Sequence, residues 1–97
     1  MSAEAKLLVV DDEFNILELL ATSLRFAGFE VVTAGNGREA IEKAEQEQPD
    51  LIVLDVMMPG MDGFDVTRRL REGGRTYPVL FLTAKDATED KVAGLSA

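Results

Sequence analysis

The sequence predicts an α/β fold in which a parallel, doubly wound sheet is covered by helices on both faces. Four short apolar runs alternate with segments whose apolar residues recur at helical spacing. Three of the runs are continuously apolar, as strands buried on both faces require. With right-handed crossovers, the order β-α-β-α-β-α-β-α gives a parallel sheet. The predicted strands are residues 7–10, 29–32, 51–54 and 79–82.

The first helix is predicted between the first two strands. Its apolar residues recur at steps of three and four, and Gly28 follows as a stop signal. The second strand contains Glu30, which interrupts its apolar run and suits a strand at the edge of the sheet. The residues predicted on the inner face of the helix are Ile16, Leu19, Leu20, Ser23, Leu24 and Ala27.

The second helix has a start signal and a stop signal. Asn36 and Glu39 have the spacing of a capping box, in which each side chain bonds a backbone N–H of the first turn. Pro49 forbids continuation of the helix. Between these signals a narrow apolar stripe is formed by Ala40, Ile41 and Ala44.

Two shorter helices are predicted in the second half of the chain. Residues 64–71 carry Val66 and Leu70 four positions apart and end at a Gly-Gly pair, and residues 88–95 form a short last helix. The sequence stops just after it, so the apolar edge of strand 79–82 would lack a partner. We therefore expect the domain to be incomplete at its C-terminus, or this edge to be covered by another chain or a tail.

Composition excludes several classes of function. The 97 residues suffice for one domain, and 18 acidic against 10 basic side chains give a net charge of −8. Because Cys and His are absent, thiol nucleophiles, Ser-His-Asp triads and Cys/His zinc sites are excluded. The acidic balance disfavours direct binding to nucleic acid or to an anionic membrane. No signal peptide or membrane span is visible, which predicts a cytoplasmic protein.

Acidic residues follow two of the predicted strands. Asp11, Asp12 and Glu13 follow the first strand, and Asp55 follows the third. If these strands are neighbours, their carboxyl ends meet at one edge of the sheet. Two carboxylates ~4 Å apart repel by about 4 kcal/mol at an effective dielectric near 20, so a cation is expected among them. Oxygen ligands favour Mg²⁺ or Mn²⁺. The alternative is that the acidic run simply caps the next helix.

Two further segments lie near this edge. Thr83 and Ala84 end the fourth strand, where a hydroxyl can donate to a tetrahedral oxyanion and a small residue leaves access. Lys85 is predicted to be a solvated side chain. The loop after Asp55 contains one Pro, two Gly and three Met. Its Met58 and Met61 are expected to fill irregular gaps in the core.

Together, the segments LLVVDDE, LIVLDVMMPGMDGFDV and VLFLTAKD resemble the receiver domain of two-component response regulators, over residues 6–97. The resemblance implies a flavodoxin-like sheet with strand order 2-1-3-4. It also implies a stoichiometric phosphoacceptor, with at most self-dephosphorylation, rather than an enzyme. Asp55 would accept the phosphoryl group from the phosphohistidine of a sensor histidine kinase.

The resemblance also assigns the surrounding residues. Asp12 would bind Mg²⁺ directly, Asp11 closely or through water, and Met57 through its backbone carbonyl, together with Asp55. Thr83 would be the switch hydroxyl that moves toward the phosphoryl group. Access to the phosphoryl group and its lifetime would depend on Met57, Ala84 and Lys85.

The sequence also departs from this family. Receivers continue into a fifth strand ending in Lys and a fifth helix, and nothing after Ala97 supplies either. Lys85 follows Thr83 too closely to be that Lys, so residues 1–97 are expected to form a truncated receiver that phosphorylates poorly. The open edge predicts pairing or exchange with a second copy. The residue pattern of this sequence is most similar to that of OmpR-type regulators, which implies a DNA-binding output domain in the parent protein.

Two other functions remain possible from the sequence. One is a Mg²⁺-dependent phosphohydrolase with an aspartyl nucleophile, but such enzymes generally place an Asp two residues after the nucleophile, where this chain has Met57. The other is an interaction module that keeps the fold and has lost phosphorylation. The complete acidic set Asp11, Asp12 and Asp55 disfavours this second alternative.

Overall fold

The computed structural model describes residues 5–82 of the chain. Four parallel strands form one sheet in the order β2-β1-β3-β4, which confirms the predicted fold class and strand order. The helix predicted over residues 88–95 lies outside the described residues. The elements are β1 Lys6–Val10, α1 Phe14–Phe26, β2 Glu30–Ala34, α2 Gly37–Glu47, β3 Leu51–Asp55, α3 Gly63–Glu72 and β4 Val79–Leu82.

The central strands β1 and β3 divide the core into two layers. Because successive side chains of a strand point to opposite faces, alternate residues of each strand enter opposite layers. Leu8 and Leu54 pack in the layer that α2 and α3 cover, whereas Val9 and Val53 pack in the layer that α1 covers. This double burial explains why both strands are continuously apolar in the sequence.

Strand β2 is an edge strand, as predicted, but it begins and ends later than the predicted range 29–32. The Phe29 N–H donates to the Leu24 carbonyl at 3.1 Å, so Phe29 belongs to the turn that leaves α1. The strand then remains paired with β1 until Ala34 lies opposite Val10. Pairing with β1, rather than the local apolar run, therefore sets the length of β2.

Helix α1 ends as predicted, but the face that it buries is only partly the predicted one. Gly28 adopts φ +107°, the left-handed conformation that suits glycine after a helix. Leu17 and Ala21 are buried, and the predicted Leu20 and Leu24 pack against them. Leu19 is 66% exposed, and Ser23 and Ala27 are also exposed, so the predicted inward positions of these three residues are wrong. The apolar residues of the segment form two overlapping stripes. Spacing alone does not determine which of them meets the sheet.

Helix α2 forms one half of the predicted capping box. The Asn36 side chain accepts a hydrogen bond from the Glu39 N–H at 2.8 Å. Glu39 Oε1 in turn accepts from the N–H of Gly35 at 2.8 Å, one residue before the N-cap. The helix ends at Glu47, and Gln48 follows in the left-handed conformation at φ 49°. The predicted stop before Pro49 is therefore confirmed.

Helix α3 extends one residue beyond each predicted end and has a capping box that the sequence analysis missed. The Asp62 side chain accepts from the Asp65 N–H at 2.9 Å, and the Asp65 carboxylate accepts from the Asp62 N–H at 3.2 Å. Arg68 Nη1 also donates to Asp65 Oδ1 at 3.0 Å. These hydrogen bonds, that from Arg68 foremost, hold the pKa of Asp65 below its usual value.

Strand β4 is less buried than its apolar sequence predicts. Within residues 5–82 it pairs with β3 alone, and Leu80 is 54% exposed. On the α3 face, the Phe81 ring lies against the Phe64 ring, with the centroids 5.0 Å apart. The expectation that β4 is covered on both faces therefore fails for the part of the chain that the structure describes.

An ionic cluster joins several elements at the amino ends of the strands. Lys6 Nζ donates to Glu47 Oε1 at 3.1 Å and lies 3.9 Å from Glu30 Oε2. The Lys6 backbone N–H donates to Asp50 Oδ2 at 2.8 Å. The hydrogen bond to Glu47 is the main cause of a raised pKa for Lys6. In this way β1 is linked to β2, to the end of α2 and to the start of β3.

None of the helices described in residues 5–82 combines the length and the apolar character needed to cross a membrane.

We predict that Arg68→Gln raises the pKa of Asp65 toward its usual value. Because the folded-state pKa is lowered, the stabilisation is present above the unfolded pKa and is lost as pH falls through the folded pKa. The measurement is an NMR titration of the Asp65 carboxyl carbon. Arg71→Gln, a charge change in the last turn of α3, serves as the control and should leave the Asp65 titration unchanged.

Candidate functional site

Three aspartates meet at the carboxyl ends of β1 and β3. Asp11, Asp12 and Asp55 each offer a carboxylate oxygen, and these three oxygens lie within 4.8 Å of one another. The pairing of Val10 with Leu54 places the ends of the two strands side by side. The convergence expected from the sequence is therefore present, and it depends on β1 and β3 being neighbours.

Asp55 is the last residue of β3, and its side chain is nearly inaccessible, with 1% of the residue exposed. Asp55 Oδ1 accepts a hydrogen bond from the Met57 N–H at 3.1 Å. In the sheet Asp55 pairs with Leu82, and the Val56 N–H donates to the Leu82 carbonyl at 3.1 Å. Backbone contacts on both sides thus fix the position of this carboxylate.

Asp11 is the second buried carboxylate, with 3% of the residue exposed, whereas Asp12 is exposed. The Asp11 N–H donates to the Ala34 carbonyl of β2 at 3.2 Å, and Asp11 Oδ1 accepts from the Glu13 N–H at 2.9 Å. Helix α1 begins only at Phe14, and its N-cap Glu13 makes no side-chain capping bond. Of the acidic run, Asp11 thus contacts the backbone at the start of α1, and the side chain of Glu13 does not cap the helix.

The electrostatics and donor chemistry of this cluster suit a hard cation. Two carboxylates at the 4.8 Å limit of this cluster repel by about 3–4 kcal/mol at an effective dielectric near 20. A divalent ion among them would convert that repulsion into attraction. All three donors are carboxylate oxygens, and one of the three residues is exposed, which leaves a side open for water. Mg²⁺ usually combines one or two carboxylates with several waters, so the residues present fit this ion.

The loop between β3 and α3 is held against the end of β3. The Val56 carbonyl accepts hydrogen bonds from the N–H groups of Met58 and Gly63, at 3.2 and 3.1 Å. A Cβ atom at Gly63 would lie 2.8 Å from the Asp55 carbonyl oxygen and 3.0 Å from the Val56 Cα. Thr67 Oγ1 donates to the Gly63 carbonyl at 3.0 Å and stabilises the first turn of α3. Only glycine allows α3 to start so close to the aspartate.

The three methionines of this loop have different environments. Met58 is buried in the core layer under α2 and α3, and Met61 packs at the border of that layer, beside Gly37. Both therefore fill gaps, as expected. Met57 is 58% exposed. The remaining predicted site residues lie outside the described part of the chain, and they are Thr83, Ala84 and Lys85.

Comparison with known protein families identifies the family to which this chain belongs. The family model for the response regulator receiver domain matches residues 7–97. The chain belongs to the response regulator receiver family. Receivers of this family are phosphoaccepting signalling switches rather than classical enzymes, which confirms the resemblance found in the sequence motifs.

Two curated relatives of this receiver are transcriptional regulators. The alkaline phosphatase synthesis transcriptional regulatory protein PhoP of Bacillus subtilis is 54% identical over 90 residues, which are 93% of this chain and 38% of PhoP. The probable transcriptional regulatory protein TcrX of Mycobacterium tuberculosis is 51% identical, with the same coverage of both chains. The receiver thus spans about two fifths of the length of these relatives.

Solved structures show the same fold. The chemotaxis protein CheY4 of Vibrio cholerae superposes with a TM-score of 0.80 at 40% identity, over 97% of this receiver and 80% of that chain. The response regulator TrrA of Thermotoga maritima, solved in complex with Mg²⁺ and BeF, gives a TM-score of 0.76 at 37% identity. That superposition covers 100% of this receiver and 82% of TrrA.

The sequence analysis missed the residues that hold the loop between β3 and α3. Gly63 was considered only as a loop glycine, and Thr67 was not singled out. The spacing of Asp62 and Asp65, three residues apart before an apolar position, was a readable sign of a helix start at residue 63. The close approach of Gly63 to β3 has no such sign, because it depends on tertiary packing.

We predict that Gly63→Ala destabilises the receiver by about 1–3 kcal/mol, the usual cost of inserting a methyl group into a packed site. The added Cβ would meet backbone atoms of residues 55 and 56, which cannot move without displacing the Asp55 carboxylate. Urea unfolding measures the change in the free energy of unfolding.

Gly73→Ala is the matched control at the other end of α3. Gly73 has φ −78°, and a Cβ there would meet nothing closer than 3.5 Å. Alanine should be neutral at this position, or stabilising by about 0.4–1 kcal/mol through the unfolded chain. Equal effects of the two substitutions would contradict the proposed role of the Gly63 contact.

Proposed function

We propose that this receiver accepts a phosphoryl group on Asp55 with the help of Mg²⁺ and passes the signal to an output domain in its parent protein. The observation that carries the proposal is the cluster of Asp11, Asp12 and Asp55 at the ends of two adjacent strands. The Met57 N–H supports it by holding Asp55 Oδ1 at 3.1 Å. A buried carboxylate with a fixed orientation is suited to act as a nucleophile.

We assign the metal ligands from the family resemblance, and the cluster of three carboxylates supports the assignment. Asp12, which is exposed, would bind Mg²⁺ directly, and Asp11 would bind it closely or through a water molecule. Asp55 and the Met57 carbonyl would complete the protein ligands. When bound, the ion supplies positive charge that neutralises the phosphoryl oxygens.

In the transfer step, an oxygen of Asp55 attacks the phosphorus of a phosphohistidine. A bond forms between the Asp55 oxygen and phosphorus, and the bond between phosphorus and the histidine nitrogen breaks. The electron pair of the broken bond stays on that nitrogen, and the leaving imidazole is neutral once its ring carries a proton. The backbone N–H of Met57 orients the carboxylate during this step.

Two relatives support the wider assignment. TrrA was solved with Mg²⁺ and BeF, and BeF is a tetrahedral stand-in for a phosphoryl group. PhoP is a transcriptional regulatory protein of which this chain matches 38%. With these likenesses in support, we propose that the receiver acts in the cytoplasm, that a sensor histidine kinase is the donor and that a DNA-binding domain is the output.

The remaining roles stay predictions. Leu82 pairs with Asp55, so the chain continues toward Thr83 from a position beside the acceptor, which supports its assignment as the switch residue. We assign phosphoryl access and lifetime to Met57, Ala84 and Lys85, and at most a slow self-dephosphorylation to the domain. A further prediction is a second copy of the chain paired or exchanged along β4, which pairs with β3 alone within residues 5–82.

We predict that incubation with acetyl phosphate and Mg²⁺ adds the mass of one phosphoryl group to the chain, and that Asp55→Asn abolishes the adduct. An amide cannot act as the acceptor, so removal of the Asp55 carboxylate removes the adduct. Intact-mass spectrometry measures the adduct.

Asp50→Asn is the control for this experiment, because Asp50 lies at the opposite end of the sheet, where it accepts from the Lys6 N–H. It should leave the adduct unchanged. Turnover of the donor without an adduct would favour the phosphohydrolase alternative. Neither adduct nor turnover would favour the interaction module.

We also predict that Mg²⁺ shifts the backbone amide resonances of residues 12, 55 and 57, and that Asp12→Ala weakens binding by at least about tenfold, a loss that even outer-shell substitutions cause at metal sites. A backbone amide NMR titration gives the dissociation constant. Glu42→Gln, an exposed change on α2 that also removes one negative charge, should bind Mg²⁺ as the unaltered chain does. Resonances insensitive to Mg²⁺ in the folded chain would contradict the metal site.

A further inference from the structure

The loop after Asp55 contains a methionine that solvent can reach. Met57 is 58% exposed, whereas its neighbour Met58 is 7% exposed. We propose that Met57 is a site of reversible oxidation, and that its sulfoxide shortens the lifetime of the phosphoryl group on Asp55. The second half of this inference rests on the proposed function and adds a means of regulating the same site.

Exposure distinguishes the three thioethers of the loop. Oxidation requires that an oxidant reach the sulfur atom, and the susceptibility of methionine follows its exposure. Met58 is enclosed in the apolar layer under α2 and α3. Met61 is only partly buried, and its Cβ, Cγ and Sδ atoms lie about 3 Å from the place of a Cβ on Gly37. The expected order of oxidation is therefore Met57 first, Met61 second and Met58 last.

The position of Met57 makes such a change relevant to the acceptor. Its backbone N–H donates to Asp55 Oδ1 at 3.1 Å, so the residue is fixed beside the carboxylate. The loop has little freedom to move away, because the Val56 carbonyl accepts from both Met58 and Gly63. A change in the polarity of the Met57 side chain therefore occurs on the residue whose backbone N–H contacts the acceptor carboxylate.

The oxidant is a hydroperoxide. A lone pair of the Met57 sulfur attacks the terminal oxygen of the peroxide, a sulfur–oxygen bond forms and the oxygen–oxygen bond breaks. The leaving oxygen keeps the electron pair of the broken bond and its own proton, and it takes up the proton that the transferred oxygen loses, which gives water from hydrogen peroxide. Sulfur is oxidised by two electrons and the peroxide is reduced by two. Methionine sulfoxide reductases restore the thioether, so the modification is reversible.

The sulfoxide differs from the thioether in polarity. Oxidation converts an apolar side chain into a polar one with a strong hydrogen-bond acceptor, which is hydrated in water. Water held near Asp55 can attack the phosphorus, so the bond between phosphorus and the Asp55 oxygen breaks and inorganic phosphate leaves. The aspartate carboxylate is restored. The oxidised chain should therefore lose its phosphoryl group faster than the reduced chain.

The first measurement is the order of oxidation. The whole chain is treated with dilute hydrogen peroxide, and tandem mass spectrometry of its peptides gives the sulfoxide fraction at each methionine with time. We expect Met57 to be oxidised several-fold faster than Met58. Equal rates at the two neighbouring residues would overturn the inference, independently of any phosphorylation.

The second measurement is the lifetime of the adduct. Treated and untreated samples are loaded with acetyl phosphate, the donor is removed, and intact mass follows the loss of the phosphoryl group. Oxidation should shorten the half-life several-fold in the unaltered chain and in Met58→Leu, but not in Met57→Leu, each compared with its own untreated sample. An unchanged half-life after oxidation, or a shortening that persists in Met57→Leu, overturns the inference. If untreated chain forms no adduct, the proposed function fails and the lifetime effect fails with it, while the oxidation order still decides the first half.

Discussion

The parallel pairing of β1 with β3 is the constraint on which the site depends. Val10 lies opposite Leu54, so the residues that follow them, Asp11 and Asp55, lie at the same level. A shift of this register by one residue would also exchange the two faces of a strand. The same pairing therefore sets both the distance between the carboxylates and the assignment of apolar residues to the two core layers.

Packing of the central strands compensates for the cost of gathering negative charge. Leu8, Val10, Ile52 and Leu54 have no exposed surface, so any separation of β1 from β3 would expose them. Burial of each such side chain is worth about 1.5–3 kcal/mol, which is comparable to the repulsion within one carboxylate pair. The core thus holds the aspartates together before a cation arrives, and the binding of a cation returns that energy to the folded state.

Most of the fold was readable from the sequence, because buried parallel strands leave continuous apolar runs and helix ends leave local signals. The capping residue Asn36 and the stop at Gly28 are such signals, and both were read correctly. The buried face of α1 was not predicted correctly, because two apolar stripes overlap there and only contact with the sheet selects Leu17 and Ala21. The limits of β2 were missed for the same reason, since its partner strand fixes them.

In the candidate site too, local features could be predicted from the sequence and tertiary contacts could not. The three aspartates were identified from their positions after strands, which is a local property, and their convergence required only that β1 and β3 be adjacent. The supporting contacts of Gly63 and Thr67 were not identified, because they join α3 to the end of β3 and have no local pattern of their own. Sequence therefore indicated which atoms could react, and structure was needed to show what holds them.

The two ends of the sheet carry opposite kinds of charge arrangement. At the amino ends Lys6 is surrounded by acidic partners that attract it, whereas at the carboxyl ends three aspartates repel one another. Dissolved salt screens exposed charges much more than buried ones. Asp11 and Asp55 are buried, whereas Lys6 and its partners are partly exposed. A rise in the concentration of a monovalent salt therefore weakens the attachment of β1 at the amino end more than it relieves the repulsion at the carboxyl end. The two ends of the sheet thus respond to different ions, the amino end to bulk salt and the carboxyl end to a bound divalent cation.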